Sequence, residues 1–464
     1  MRMKLHFWGA SGNVTGSRYL LEANGRNILV DCGLYQEHDL KGRNWEDFQI
    51  PPAKIDCVLL THAHLDHCGL LPRLVKQGFH GEIHCTPATA EIAKIVLADC
   101  AKINEEDAQF KRKRHEKEGR KGVYDEQPLY TSEEAEAVSP LFLGHALEKE
   151  FELFPGITVS FHEVGHILGA TFIRIAVTEG DETRVIVFSG DVGRENMPLI
   201  RDPKPIGKAD YLLCESTYGD RLHGKQEEIM PSLAAIVNRT VDAGGNLIIP
   251  SFAIERTQDL LYYLALLLKE DKIPHLQIYV DSPMAVKVTD VFHRNSNLLD
   301  DETITNLTGY RMPGLTLVRT IADSKSINRI RGSAIVIAGS GMCTGGRIKH
   351  HLLRNLPRKE CTVLFIGYQA HDTLGRQIID GNETVRVLGE EVKVAARVER
   401  ISGFSAHADQ KELLDWLSTA ENAPRRLFVT HGEPEASQAF ATAVEEKFHW
   451  NTTIPQYGDE VELD

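Results

Sequence analysis

Short apolar runs separated by turn signals fill the first part of the chain. Ser17 to Ala23 and Arg26 to Asp31 flank Asn24-Gly25, a strong hairpin signal. Thr171 to Thr178 and Thr183 to Ser189 flank Gly180-Asp181 and predict a second hairpin. Ile55 to Thr61, Glu82 to Thr86 and Ile157 to Glu163 have the length and apolarity of buried strands. The first third is therefore expected to form antiparallel strands. Leu70 to Gln77 has helical spacing, and so does Ala88 to Asp99, with Ile92, Ile95, Val96 and Cys100 on one face.

The pattern changes after about residue 209 to strand, turn and helix in repetition. Asn246 to Pro250 precedes a helical Thr257 to Lys269, Gln277 to Val280 precedes Met284 to His293, and Ala334 to Ala338 precedes Arg347 to Asn355. Such alternation predicts parallel strands joined by crossover helices. The last stretch alternates again: helix Lys411 to Ala420, strand Leu427 to Thr430, helix Glu435 to Lys447. No internal repeat or low-complexity linker interrupts the series.

Charge qualifies this picture. The 52 basic and 66 acidic residues give a net charge of −14, which argues against a protein that coats DNA through Lys and Arg. A local basic path is still compatible with it. The densest basic run, KRKRHEKEGRK at Lys111 to Lys121, reads as a solvated helix face before it reads as a nucleic-acid contact. The 8 cysteines are scattered without a C-x-x-C pair, so reduced buried thiols are expected, not a disulfide framework. The N-terminal residues turn polar too early for a signal peptide, and no apolar run approaches the roughly 20 residues of a membrane span. A cytoplasmic protein with no membrane partner is expected.

The histidines carry the chemistry. Thr61-His62-Ala63-His64-Leu65-Asp66-His67 follows the apolar strand that ends at Leu60. Imidazoles and a carboxylate together suit zinc, manganese or iron and not calcium. One ion rarely takes four ligands from so short a loop, so the spacing suggests two ions. Further ligands should come from other strand ends that run into Gly with a His or Asp. Three places qualify: Gly165-His166, Gly190-Asp191 and His431-Gly432.

Together these segments resemble the metallo-β-lactamase superfamily, through H-x-H-x-D-H at His62 to His67. More narrowly they resemble the β-CASP ribonucleases, through CESTYGD around Glu215, SGMCTGGR at Ser340 to Arg347, GFSAHAD at Gly403 to Asp409, and THGE at Thr430 to Glu433. The resemblance runs nearly end to end. It is most like bacterial and archaeal relatives of the endonuclease subunit of the cleavage and polyadenylation specificity factor. It implies an α/β fold, a metallo-β-lactamase αββα sandwich with an inserted α/β β-CASP domain. The sandwich would take residues 1–208 and 395–464, and the insertion 209–394. The extra RNA-binding modules of some relatives are not expected.

The resemblance also implies roles. One ion would be held by His62, His64, His166 and Asp191, the second by Asp66, His67, Asp191 and His431, with Asp191 shared. Two Zn2+ per chain are the implied cofactors, with Mn2+ as the alternative. Asp31 would orient a ligand histidine. His407 would act as general acid, with Glu215 behind it. Ser340, Gly341, Arg347, Ser402 and Ser405 are candidate contacts to substrate phosphates. Ser251 and Arg256 are lesser candidates. The Gly9 to Gly16 segment, GASGNVTG, is expected to turn close to the ions. The implied partner is single-stranded RNA, preferred over DNA because of His431, and a homodimer is a candidate assembly. Cleavage would be internal, 5′→3′ exonucleolytic, or both. A small-molecule metallo-hydrolase is the rival reading, since the metal motif alone does not reject it. A non-catalytic RNA-binding subunit is a third, disfavoured because no ligand position is missing.

Overall fold

The computed structural model describes residues 3–119, 126–224, 226–301, 303, 312–367, 369–370 and 372–464. The end of the basic run, Arg120 and Lys121, lies outside them. The backbone divides into two compact units: 1–196 with 201–222 and 407–464, and 197–200 with 223–406. Strand Tyr211–Glu215 and the loop to Leu222 thus stay with the first unit, although the sequence placed the start of the insertion at 209.

The first unit is built on two seven-stranded sheets. One runs in the order Glu460–Leu463, Met3–Phe7, Tyr19–Ala23, Arg26–Val30, Cys57–Leu59, Glu82–Cys85, Phe142–Gly144. The other runs Thr452–Thr453, Arg426–Thr430, Tyr211–Glu215, Glu182–Phe188, Thr171–Glu179, Ile157–Glu163, Phe151–Phe154. Both hairpins form where the turn residues predict, with Ala23 opposite Arg26 and Glu179 opposite Glu182. The expectation of antiparallel pairing throughout needs correction. Arg26–Val30, Cys57–Leu59, Glu82–Cys85 and Phe142–Gly144 pair in parallel. The segments between them carry helices or long loops, and a parallel pair requires such a crossover.

The faces of the two sheets meet in one apolar core. Leu5, Phe7, Leu21, Val30 and Leu59 come from the first sheet, and Phe161, Ile173, Ile175, Ile186, Leu213 and Phe428 from the second. Alternation decides which residues go inward: Ile173, Ile175 and Val177 join the core while Phe172 faces the helix Gln410–Leu417 and meets Trp416 edge-on at 5.6 Å. The helix Pro87–Glu118 starts as predicted but runs for 32 residues, capped by the Thr86 side chain on Thr89 N and closed by left-handed Gly119. The charged segment therefore extends this helix into solvent.

The second unit holds a six-stranded sheet in the order Leu315–Leu317, Gln277–Val280, Ala334–Ala338, Leu247–Pro250, Thr362–Phe365, Arg397–Arg400. Every pairing in it is parallel, as the strand-helix alternation requires. Among the described residues, no helix is long and apolar enough to cross a membrane.

Phe428 is fully buried where the sheets face each other, its ring 5.2 Å from that of Phe7. Phe428→Ala is expected to destabilise the first unit by about 3–5 kcal/mol, read as a lowered urea midpoint.

Candidate metal centre

Six strands of the first unit end at one edge of the sandwich, and each delivers a polar residue there. Asp31 follows Arg26–Val30, the His62 to His67 loop follows Cys57–Leu59, and His166 follows Ile157–Glu163. Asp191 follows Glu182–Phe188, Glu215 ends Tyr211–Glu215, and His431 follows Arg426–Thr430. Asp31, His166 and His431 all have positive φ, at 59°, 64° and 51°. Non-glycine residues rarely adopt that conformation, and the surrounding structure must hold it. Two glycines admit the close approaches this edge demands. A Cβ on Gly33 would lie 1.6 Å from the Asp66 carbonyl oxygen, and one on Gly193 would lie 2.0 Å from His166 N.

The side chains converge into two clusters that share Asp191. In the first, His64 Nδ1 lies 3.2 Å from His62 Nε2 and 3.0 Å from His166 Nε2. Asp191 Oδ2 is 3.5 Å from His62 Nε2 and 3.4 Å from His166 Nε2. In the second, His67 Nε2 and His431 Nε2 are 3.2 Å apart. Asp191 Oδ1 is 3.2 Å from His67 Nε2 and 3.5 Å from His431 Nε2, and Asp66 Oδ2 is 3.6 Å from His431 Nε2. One carboxylate thus turns one oxygen to each cluster.

The hydrogen-bond partners fix which nitrogens carry protons. Asp31 Oδ2 accepts from His67 Nδ1 at 2.7 Å and is itself held by Thr61, through N–H at 2.8 Å and the hydroxyl at 2.9 Å. Thr217 Oγ1 lies 3.0 Å from His431 Nδ1 and donates to the His431 carbonyl at 3.1 Å. With both Nδ1 atoms committed to these partners, the two Nε2 atoms are the ones left facing each other. As neutral imidazoles they would offer two lone pairs to one cation. Asp191 Oδ1 points to the same place, buried and without a hydrogen-bond partner. The donor set and this orphaned oxygen fit metal ions, and five imidazoles with a shared carboxylate suit zinc or manganese.

Electrostatics agree. Burial, helped by charge on His67, lowers His62 to about 3, and burial lowers His64 to about 4, so both stay neutral. Burial also works against charge on His67 and His431, yet the carboxylates of Asp191, Asp31 and Asp66 raise both. The second cluster therefore demands positive charge.

A third group adjoins the first two. His407 Nδ1 sits 3.2 Å from each oxygen of Glu215 and 3.9 Å from Asp191 Oδ2. Glu215 is buried, and its Oε1 also accepts from Val192 N at 2.6 Å. A surface or capping reading of this carboxylate is thereby removed. Burial disfavours charge on His407, but Glu215 and then Asp191 outweigh it and raise the pKa to about 9.

GASGNVTG does turn beside the cluster: the Ala10 carbonyl accepts from His431 N at 2.7 Å. The candidate phosphate contacts Ser340, Gly341, Arg347, Ser402 and Ser405 lie in the second unit. Ser340 Oγ accepts from Gly345 N within its own loop at 3.3 Å. Arg347, read from sequence as a candidate phosphate contact, donates through Nη1 to buried Asp281 at 2.7 Å, beside His351 and Ser324 on the same carboxylate. That ion pair orients its guanidinium.

Comparison with known proteins accords with this geometry. The profile of the metallo-beta-lactamase superfamily matches residues 12–229, that of the Beta-Casp domain 257–378, and that of the Zn-dependent metallo-hydrolase RNA specificity domain 391–455. Ribonuclease TTHA0252 of Thermus thermophilus is 38% identical over 440 residues, covering 93% of this chain and 94% of that protein. The chain belongs to the β-CASP ribonuclease family. Transcription termination factor FttA of Pyrococcus horikoshii is 28% identical over 98% of this chain and 70% of its own length. A solved structure from Enterococcus faecalis, described as a protein of unknown function, superposes over the full length of both chains with a TM-score of 0.57 at 12% identity, a likeness of fold.

Sequence reasoning did not single out Thr61 and Thr217, although both stand inside motifs it used. The Thr217→Val variant removes the partner of His431 Nδ1 and is expected to weaken metal binding at least about tenfold. Competition titration against a chelator reads the loss, with an unchanged melting temperature as the control for folding.

Proposed function

We propose that this β-CASP protein is a zinc-dependent ribonuclease that hydrolyses phosphodiester bonds of single-stranded RNA at a centre of two ions. The observation that carries the proposal is the sharing of Asp191 between two buried clusters, with the His407–Glu215 pair beside them. His62, His64 and His166 would hold one ion, Asp66, His67 and His431 the other, and Asp191 both. Bound there, two divalent ions supply a nucleophile from water near neutral pH and clamp an in-line displacement at phosphorus.

The remaining work falls to the chain. Asp31 and Thr217 keep Nδ1 of His67 and His431 protonated, so that Nε2 faces inward. Glu215 commits Nδ1 of His407, so a transferable proton sits on Nε2. From there it passes to the departing ribose oxygen as the P–O bond breaks, leaving a 3′-hydroxyl and a 5′-phosphate. Val192 N–H steadies Glu215 and so fixes the angle of the imidazole. The β-CASP match and the RNA-cleaving relative support RNA over a small-molecule substrate, and the presence of His431 supports RNA over DNA.

Incubation with labelled single-stranded RNA tests the proposal. Cleavage is expected to vanish after complete metal removal and to return with zinc or manganese, and elemental analysis should find about two ions per chain. Full cleavage by the metal-free protein would sink the reading. The His407→Ala variant is expected to keep its metal and lose about 10²–10⁴ in cleavage rate, the usual contribution of a positioned acid.

A further inference from the structure

In the second unit, three neighbouring parallel strands end side by side. Leu247–Pro250 runs into Ser251 and Phe252, Ala334–Ala338 into Gly339, Ser340 and Gly341, and Thr362–Phe365 into Ile366 and Gly367. The carboxyl edge of an open α/β sheet is where such folds receive ligands. Phe252 stands there 38% exposed, although its neighbours Ser251 and Ala253 are buried at 1% and 5%.

The ring is held in place by backbone. A Cβ on Gly341 would come within 2.7 Å of it, and a Cβ on Gly367 within 3.1 Å. Its Cδ2–Cε2 edge therefore leans on two residues that have no side chain. Gln369 is buried and binds both from behind, Nε2 donating to the Gly341 carbonyl at 2.9 Å and to the Gly367 carbonyl at 3.2 Å. The Phe252 carbonyl accepts from Ser251 Oγ at 3.1 Å and Thr257 Oγ1 at 2.7 Å, which fixes the main chain beneath the ring. Ser340 and Thr344 add hydroxyls to the loop that carries Gly341.

An aromatic ring left open to water contributes little to the core. An aromatic ring already locked in one orientation contributes a good deal to stacking, because little side-chain entropy is lost when a flat partner arrives. Every nucleobase offers such a flat face, and base–aromatic stacking tolerates any sequence. We propose that Phe252, set against Gly341 and Gly367, is a stacking seat for one base of single-stranded RNA. The proposal rests on the ribonuclease reading for its ligand class, but on none of the metal clusters for its geometry.

The test measures binding separately from cleavage. Fluorescence anisotropy with a labelled single-stranded RNA, in a His407→Ala background and with the RNA shown intact afterwards, gives Kd. Phe252→Ala is expected to raise Kd about tenfold, within the range for loss of one stacked base. Phe252→Trp is expected to restore it and Phe252→Leu is not. An oligonucleotide scanned with abasic positions should show one position whose loss weakens the Phe252 protein but not the Phe252→Ala protein. Equal binding by the Ala and Phe proteins, or full rescue by Leu, overturns the seat. A Phe252-dependent Kd, together with no RNA cleavage by the metal-loaded protein with His407 intact, would instead overturn the ribonuclease reading and leave the seat standing.

Discussion

Two imidazole nitrogens, on His67 and His431, face each other across 3.2 Å with their protons committed elsewhere. Much of the first unit serves to make that arrangement tolerable. A buried Asp191 oxygen aims at the same point and adds negative charge. A cation, whether a proton or a metal ion, lets these three atoms share that point. The strain shows in the main chain, where Asp31, His166 and His431 adopt left-handed backbone. The two facing sheets supply the rigidity that holds it, through a core to which both contribute.

Asp191 gives the site its unity. Its two oxygens serve two clusters, and His407 lies close enough to feel its charge. Glu215 then separates the third group from the metals by engaging His407 Nδ1. Three similar imidazole environments thereby acquire different roles: neutral in the first cluster, strongly drawn to positive charge in the second, and protonated beside Glu215. Burial acts on all of them, and the nearby carboxylates decide the outcome.

Sequence showed much of this because hairpin turns and strand ends are local features. Asn24-Gly25 and Gly180-Asp181 mark turns by their own backbone preferences, and both hairpins form there. The H-x-H-x-D-H loop, Gly165-His166, Gly190-Asp191 and His431-Gly432 could be found because a ligand must stand at the end of a rigid strand. Pairing direction was less legible, since apolar runs such as Cys57–Leu59 look alike in parallel and antiparallel sheets. Partners remote in sequence were hidden too. Nothing near Arg347 announces that Asp281 will claim its guanidinium, and nothing near Phe252 announces that Gly341 and Gly367 will frame its ring. Thr61 and Thr217 were overlooked for a different reason: each stands beside a residue with more obvious chemistry.

The order of the ligands along the chain bears on how the enzyme comes into being. The first cluster needs nothing beyond Asp191, whereas the second waits for His431 and the proton donor for His407. During synthesis from the amino end, the residues of the first cluster are all present once Asp191 is made, well before His407 and His431. The late place of His407 and His431 thus ties completion of the second and third groups to the segment that follows the second unit.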